Sequence, residues 1–151
     1  MKTAVFAGTF NPFTIGHLSI VERGLQLFDK IVIAIGHNEN KPTCDDIVQR
    51  ITAIREIFKD NPRVEVDAYS GLTAEYAKKI GAVALLRGVR NVKDFEYERD
   101  LADVNNKVLG IETVLLLSLP EYSYISSSVV RELRDNGHDV SPYLPGGEQQ
   151  I

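Results

Sequence analysis

The chain has 151 residues, 44% of them hydrophobic and 25% charged, and a formal net charge of −4. That length suits one domain around one core, burying roughly two thirds of the surface the unfolded chain exposes, and the composition excludes a disordered chain. The acidic balance argues against a nucleic-acid partner, which would need a strongly localised basic face, but a few positioned cations in a cleft can still hold a small polyanion.

The chain begins with "MKTAVFAGTF", which runs straight into strand-like sequence without a secretory apolar region, and no later stretch reaches bilayer-spanning length. A cytoplasmic protein with no membrane partner is expected. "TAVFAG" is a first short strand, and the loop "GTFNPFTIGH" leads from it to a helix starting near Thr14. Leu18, Val21, Leu25 and Phe28 then fall three and four apart, on one buried stripe. "KIVIAIG" is the second strand, and "GHNENKP" the loop after it. A second helix follows Asp45 or Asp46, with Ile47, Ile51, Ile54 and Phe58 facing inward. Cys44, the one cysteine, precludes an internal disulfide and reads as a loop or helix-start residue.

"RVEVDAY" alternates as a strand near a sheet edge does, and a third helix covers about Leu72 to Ile80, stopping at Gly81. "AVALLRG", a long polar helix from about Val92 to Leu109, "ETVLLLS" and a last helix beginning inside "SSSVVRELRDNG" complete the series. Strands alternating with helices predict an α/β fold around an open parallel sheet of about five strands, with helices on both faces. "IVIAI" and "VLLLS" are apolar at nearly every position, as strands covered on both faces are. In such sheets ligands bind at the carboxyl ends of the strands, where strand order reverses.

The loops at those ends carry the chemistry. Gly8 lets the backbone approach a ligand, Thr9 adds a hydroxyl, and Thr14 is placed to cap a helix whose first turn holds Gly16 and His17. A helix N-terminus favours an anion, and its positive end disfavours imidazolium, so a neutral His17 donating one N–H to a phosphate oxygen is expected. Neither G-x-G-x-x-G nor the Walker P-loop is present. Arg87 leaves a core strand and Arg90 follows three residues on, a pair better suited to an anion site than to a salt bridge with the acidic "DFEYERD". Lys41 alone is an ordinary loop lysine. Ser126, Ser127 and Ser128 offer three hydroxyls where a cap needs one, and Arg131 lies one turn inside, suited equally to an anion or to solvent.

"GTFNPFTIGH", "RGVRNVKDFEYE" and "YSYISSSVVRE", in that order and spacing, resemble the phosphopantetheine adenylyltransferase family, over nearly the whole chain to about "PYLP". Thr14 to His17 is similar to that family's T-x-G-H form of the H-x-G-H signature. The resemblance implies a Rossmann-like domain, adenylyl transfer from ATP to 4′-phosphopantetheine with Mg²⁺ as cofactor, and a homohexamer. It implies that Thr9, Lys41 and Arg87 hold the acceptor phosphate, and that His17, Arg90, Ser127 and Ser128 meet the ATP phosphates. It puts Gly8, Phe10, Glu98, Tyr122 and Ser126 on the nucleotide side, and Leu72, Thr73 and Asn105 along the pantetheine arm. His17, Lys41 and Arg90 are the expected catalytic residues, and no metal ligand is expected from the chain, the ion resting on the ATP phosphates. Ala7 stands where the family commonly has proline, and Asn11 where aspartate is usual. A related nucleotidyltransferase acting on nicotinamide mononucleotide or using CTP, and a nucleotide sensor or RNA-binding module without turnover, are the alternatives.

Overall fold

The computed structural model describes residues 1–37 and 44–146. Five parallel strands form one sheet: β1 (Thr3–Gly8), β2 (Lys30–Gly36), β3 (Val64–Tyr69), β4 (Ala84–Val89) and β5 (Glu112–Leu117), in the order β3-β2-β1-β4-β5. Between and after them run α1 (Ile15–Gly24), α2 (Cys44–Ile57), α3 (Thr73–Lys79), α4 (Val92–Lys107) and α5 (Ser127–Asp135). Each helix begins within a residue or two of its expected start, because the start signals are local. Thr14 caps α1, Asn91 caps α4 and Ser126 caps α5, each side-chain oxygen accepting a backbone N–H of the first turn.

Alternate residues of each central strand supply two cores. Ala4, Phe6, Ile31, Ile33 and Leu86 pack with Val21 of α1 and Ile54 of α2 on one face. Val5, Ala7, Val32 and Leu85 pack with Ala74 and Ala77 of α3 on the other. A third cluster, Ile125, Val130, Val140 and Leu144, ties α5 and the following segment to Ile15. Gly24 packs closely against the first core, since a Cβ there would lie 2.7 Å from both Ile31 Cδ1 and Leu86 Cδ2. Gly24→Ala is expected to cost about 1–3 kcal/mol through overpacking. The check is the midpoint of thermal unfolding, which falls while the Michaelis constants stay put.

One expectation is corrected. "VLLLS" does not become a strand covered on both faces, because β5 is the sheet edge; its central residues are only partly buried and Leu117 is 69% exposed. α4 beside it buries only Glu98, and leaves Phe95, Tyr97 and Val104 exposed, as is Val108 just after it. β3 is the other edge, as its alternation predicts.

The register creates the opening between β1 and β4. β1 pairs with β2 as far as Gly8, and β4 with β5 as far as Val89, but β1 and β4 pair only from Ala4–Ala84 to Phe6–Leu86. Beyond Phe6 the two central strands part. This is also where the strand order reverses, so the ligand-binding position of an open α/β sheet coincides with a break in its ladder.

Candidate active site

The parting of β1 and β4 leaves the Ala7 carbonyl without a ladder partner, and Arg87 supplies one, its Nη1 donating at 2.5 Å. The rest of the guanidinium is gripped by Glu98 of α4, with Nε to Oε2 at 2.9 Å and Nη2 to Oε1 at 2.7 Å. Glu98 is 5% exposed, so this is a buried bidentate pair. Burial works against the Arg87 charge, but the hydrogen bonds and negative charge of Glu98 outweigh it and hold the guanidinium above its ordinary pKa. The salt bridge to the acidic segment, expected to be the weaker explanation of Arg87, is therefore present. Of five guanidinium hydrogens three are engaged among the described residues, which leaves two for a ligand.

Arg87 stands in the wall between two clefts. The first, of about 420 Å³, is lined by residues that include Gly8, Thr9, Phe10, His17, Arg90, Tyr122, Ser126 and Ser127. The second, of about 210 Å³, is lined by Tyr69, Thr73, Tyr97, Glu98, Leu101 and Asn105 among others. Ala7, Gly8 and Arg87 line both.

His17 is held by a capping box: its backbone N–H reaches Thr14 Oγ1 at 3.4 Å, and the Thr14 N–H donates to His17 Nδ1 at 2.9 Å. A backbone amide can only donate, so Nδ1 is the acceptor and the neutral ring carries its proton on Nε2. Phe6, Phe10 and Phe13 surround the imidazole, with ring centroids 6.1, 5.0 and 5.3 Å away. Burial first, then the charges of Arg87 and Arg90, push its pKa from 6.5 to about 4. Neutrality was expected from the helix dipole; the causes here are desolvation and two arginines. Nε2 has no partner among the described residues, and the ring lines the first cleft. It is a fixed hydrogen-bond donor facing a cationic opening.

The other expected residues divide. Arg90 lines the first cleft with its Nε 3.1 Å from Asp94 Oδ2, in the first turn of α4. Thr73 and Asn105 meet in the second cleft, Thr73 Oγ1 lying 2.6 Å from the Tyr69 hydroxyl. Three placements differ from expectation. Glu98 lies not in the first cleft but in the second, drawn there by Arg87. Leu72 is 57% exposed in a separate groove with Ser70 and Tyr76. Of the serine hydroxyls, Ser127 spends its proton on the Pro12 carbonyl at 2.8 Å, whereas Ser126 Oγ accepts from the Val129 N–H at 3.2 Å and Ser128 Oγ from Arg131 at 3.4 Å, each keeping its own O–H to donate. Ser128 does not line the cleft. Lys41 lies outside the described residues.

Gly8 has a reason within the protein as well as the one expected. A Cβ there would meet the Phe10 ring at 3.1 Å, so the space belongs first to the protein's own aromatic, whose backbone takes φ of 47°. Arg50 of α2 was not legible beforehand: its Nη1 donates to the Thr9 carbonyl at 2.6 Å, and nothing in "VQRIT" distinguishes it from a solvent-facing helix arginine. Among the described residues no group of three or more His, Cys, Asp or Glu is placed to hold a metal ion, and no helix is long and apolar enough to cross a membrane.

The cytidylyltransferase-like family model matches residues 5–133. A phosphopantetheine adenylyltransferase of Phocaeicola vulgatus is 52% identical over 147 residues, 97% of each chain, and one of Caldanaerobacter subterraneus subsp. tengcongensis is 44% identical over 96% of this chain and 91% of its own. Among solved structures, a bifunctional NMN adenylyltransferase/ADP ribose pyrophosphatase from Francisella tularensis superposes with a TM-score of 0.70 at 17% identity. This chain is covered to 97% there but spans only 46% of that one, and at such identity the likeness is one of fold.

Proposed function

This chain belongs to the cytidylyltransferase-like family and, by its relatives, to the phosphopantetheine adenylyltransferases, and we propose from that membership that it transfers the adenylyl group of ATP to 4′-phosphopantetheine. The products are dephospho-coenzyme A and pyrophosphate, a step of coenzyme A synthesis. The observation that carries the chemistry is a neutral, orientation-locked His17 facing a cleft that also holds Arg87 and Arg90.

The acceptor is a phosphate monoester, whose second pKa near 6 makes it mostly dianionic at neutral pH. No side-chain base is needed. An acceptor oxygen bonds to the α-phosphorus as the bond to the bridging oxygen of pyrophosphate breaks, and the work of the protein is to align two polyanions and stabilise the charge that develops. His17 Nε2–H donates to the α-phosphate side, and Arg90 meets the β and γ phosphates. Phe10, Tyr122, Ser126 and Ser127 bound the nucleotide. Thr9, Lys41 and Arg87 take the acceptor phosphate, with Thr73 and Asn105 along its arm. Arg87, in the shared wall, lies where the two reacting phosphates meet.

Mg²⁺ belongs to the substrate in this scheme. The first cleft offers cations, a neutral imidazole and hydroxyls rather than a carboxylate cage, and Asn11 stands where the family usually has aspartate, so the ion travels on the ATP phosphates. The exposed apolar side chains of α4 and β5 support self-association, and the homohexamer of the family is the assembly we assign. The cytoplasm is the compartment we assign.

Pyrophosphate release from ATP and Mg²⁺, with and without 4′-phosphopantetheine, tests the reaction. Release should require the acceptor; ATP binding without release under both conditions would sink the proposal. The pH dependence separates the groups. The acid limb of kcat/KM for the acceptor should fall near pH 6, where the acceptor phosphate takes a proton, because His17 stays neutral down to about 4. A limb that moved when His17 was replaced by asparagine would assign it to the imidazole instead.

A further inference from the structure

We infer that Arg50 is a positioning residue for the acceptor site, acting through the backbone of Thr9; this rests on the acceptor role proposed for Thr9. Three carbonyls at alternate residues, from the end of β1 into the turn that leads to α1, each accept from an arginine of a different element. Arg87 of β4 takes Ala7 at 2.5 Å, Arg50 of α2 takes Thr9 at 2.6 Å and Arg131 of α5 takes Asn11 at 2.5 Å. Arg50 itself is steadied by its own helix, Nε donating to the Asp46 carbonyl at 3.3 Å.

The turn needs such holding. Phe10 lies between Thr9 and Asn11 with φ of 47°, a region a bulky side chain enters at a cost of order 1–3 kcal/mol and keeps only where its surroundings over-determine it. The Phe10 ring is held in the core against Phe6, Phe13 and His17, which fixes the side chain but not the peptides on either side. Arg50 grips the Thr9–Phe10 peptide, directly before Phe10, and Arg131 grips the Asn11–Pro12 peptide, one further along the turn. Thr9 is exposed, and its hydroxyl makes no hydrogen bond among the described residues, so the direction of that hydroxyl follows from the backbone that Arg50 holds. Charge-assisted bonds to a carbonyl are about twice as strong as neutral ones, which suits a turn with few backbone bonds of its own.

Two measurements test this. The first is hydrogen exchange of the purified protein, which does not depend on turnover. Arg50→Ala should speed exchange in the segment Thr9–Thr14 about tenfold or more and leave the central strands unchanged, whereas an unchanged segment overturns the inference whatever reaction the protein catalyses. The second is a kinetic cycle with 4′-phosphopantetheine and ATP. Arg50→Ala should raise the acceptor KM about tenfold with the ATP KM within about twofold, and Arg50→Lys, which keeps one donor, should restore most of it. Thr9→Val removes the hydroxyl but keeps the carbonyl. If Arg50 acts through Thr9, the double variant should be no worse than the poorer single one; losses that multiply would make Arg50 an independent ligand and overturn the inference. A wild type that releases no pyrophosphate would refute the proposed reaction and leave the exchange result to decide the role of Arg50 in the turn.

Discussion

Replacing His17 by alanine is expected to lower kcat about 10²–10³-fold, the usual loss when one preorganised donor to a developing charge is removed. The same substitution removes an acceptor for the Thr14 N–H, one half of the α1 capping box, and with it about 0.5–2 kcal/mol of stability. The two effects can be separated. Asparagine at position 17 can place a carbonyl oxygen near the site of Nδ1 but nothing at the site of Nε2, so His17→Asn should recover the melting temperature and not the turnover. Acid titration gives a second check. Because the imidazole titrates at about 4 in the folded protein and near 6.5 when unfolded, its contribution is complete above 6.5 and is lost as pH falls towards 4. His17→Asn should flatten stability across that window. A variant that kept full turnover would remove His17 from the role proposed here, and calorimetry alongside kinetics distinguishes the cases.

The second large effect is expected at Glu98. Glu98→Ala leaves two arms of the Arg87 guanidinium without their partner inside the protein, and breaking a buried pair from one side costs about 3–5 kcal/mol. The low end, about 3 kcal/mol, applies because the Arg87 side chain is 32% exposed and the clefts admit water. For a chain of this length that lowers the melting temperature by roughly 6–12 °C. Replacing both partners, as in Arg87→Met with Glu98→Leu, should return most of the stability, since an apolar pair of similar volume is often no worse than a buried ion pair. Turnover should not return with it. Thermal melts and acceptor kinetics on the three proteins form the test. A double variant as unstable as Glu98→Ala would mean that the cost came from lost packing of α4 against β4 rather than from a stranded charge.

Much of the framework was legible because its causes are local. The five strands, the Thr14 cap and the inward stripe of α2 each depend on a few neighbouring residues, and periodicity reports them. β5 was misjudged because "ETVLLL" carries no mark of being an edge; strand order is a property of the whole chain. The first cleft was largely legible, since His17, Arg90, Ser126 and Ser127 sit at strand ends and helix starts, where the fold class puts ligands. What escaped were contacts fixed by tertiary register. Glu98 reaches Arg87 from the second turn of α4, and Arg50 reaches Thr9 from 41 residues away, so neither pairing has a signal in its own segment. The left-handed Phe10 has none either, since the residue type argues against that conformation.

The Thr14 N–H that fixes the histidine tautomer leaves His17 a donor rather than a proton shuttle at neutral pH. A ring whose basic nitrogen already accepts from a backbone amide, and which gains a proton only near pH 4, acts at neutral pH as a hydrogen-bond donor, and like any catalyst it stabilises the same transition state whether pyrophosphate leaves or attacks. Such a site accelerates synthesis and pyrophosphorolysis together and sets no preference between them. Net flow towards product then depends on what consumes pyrophosphate or the adenylylated product elsewhere, and the protein acts as an open valve whose sense is set by the concentrations on its two sides.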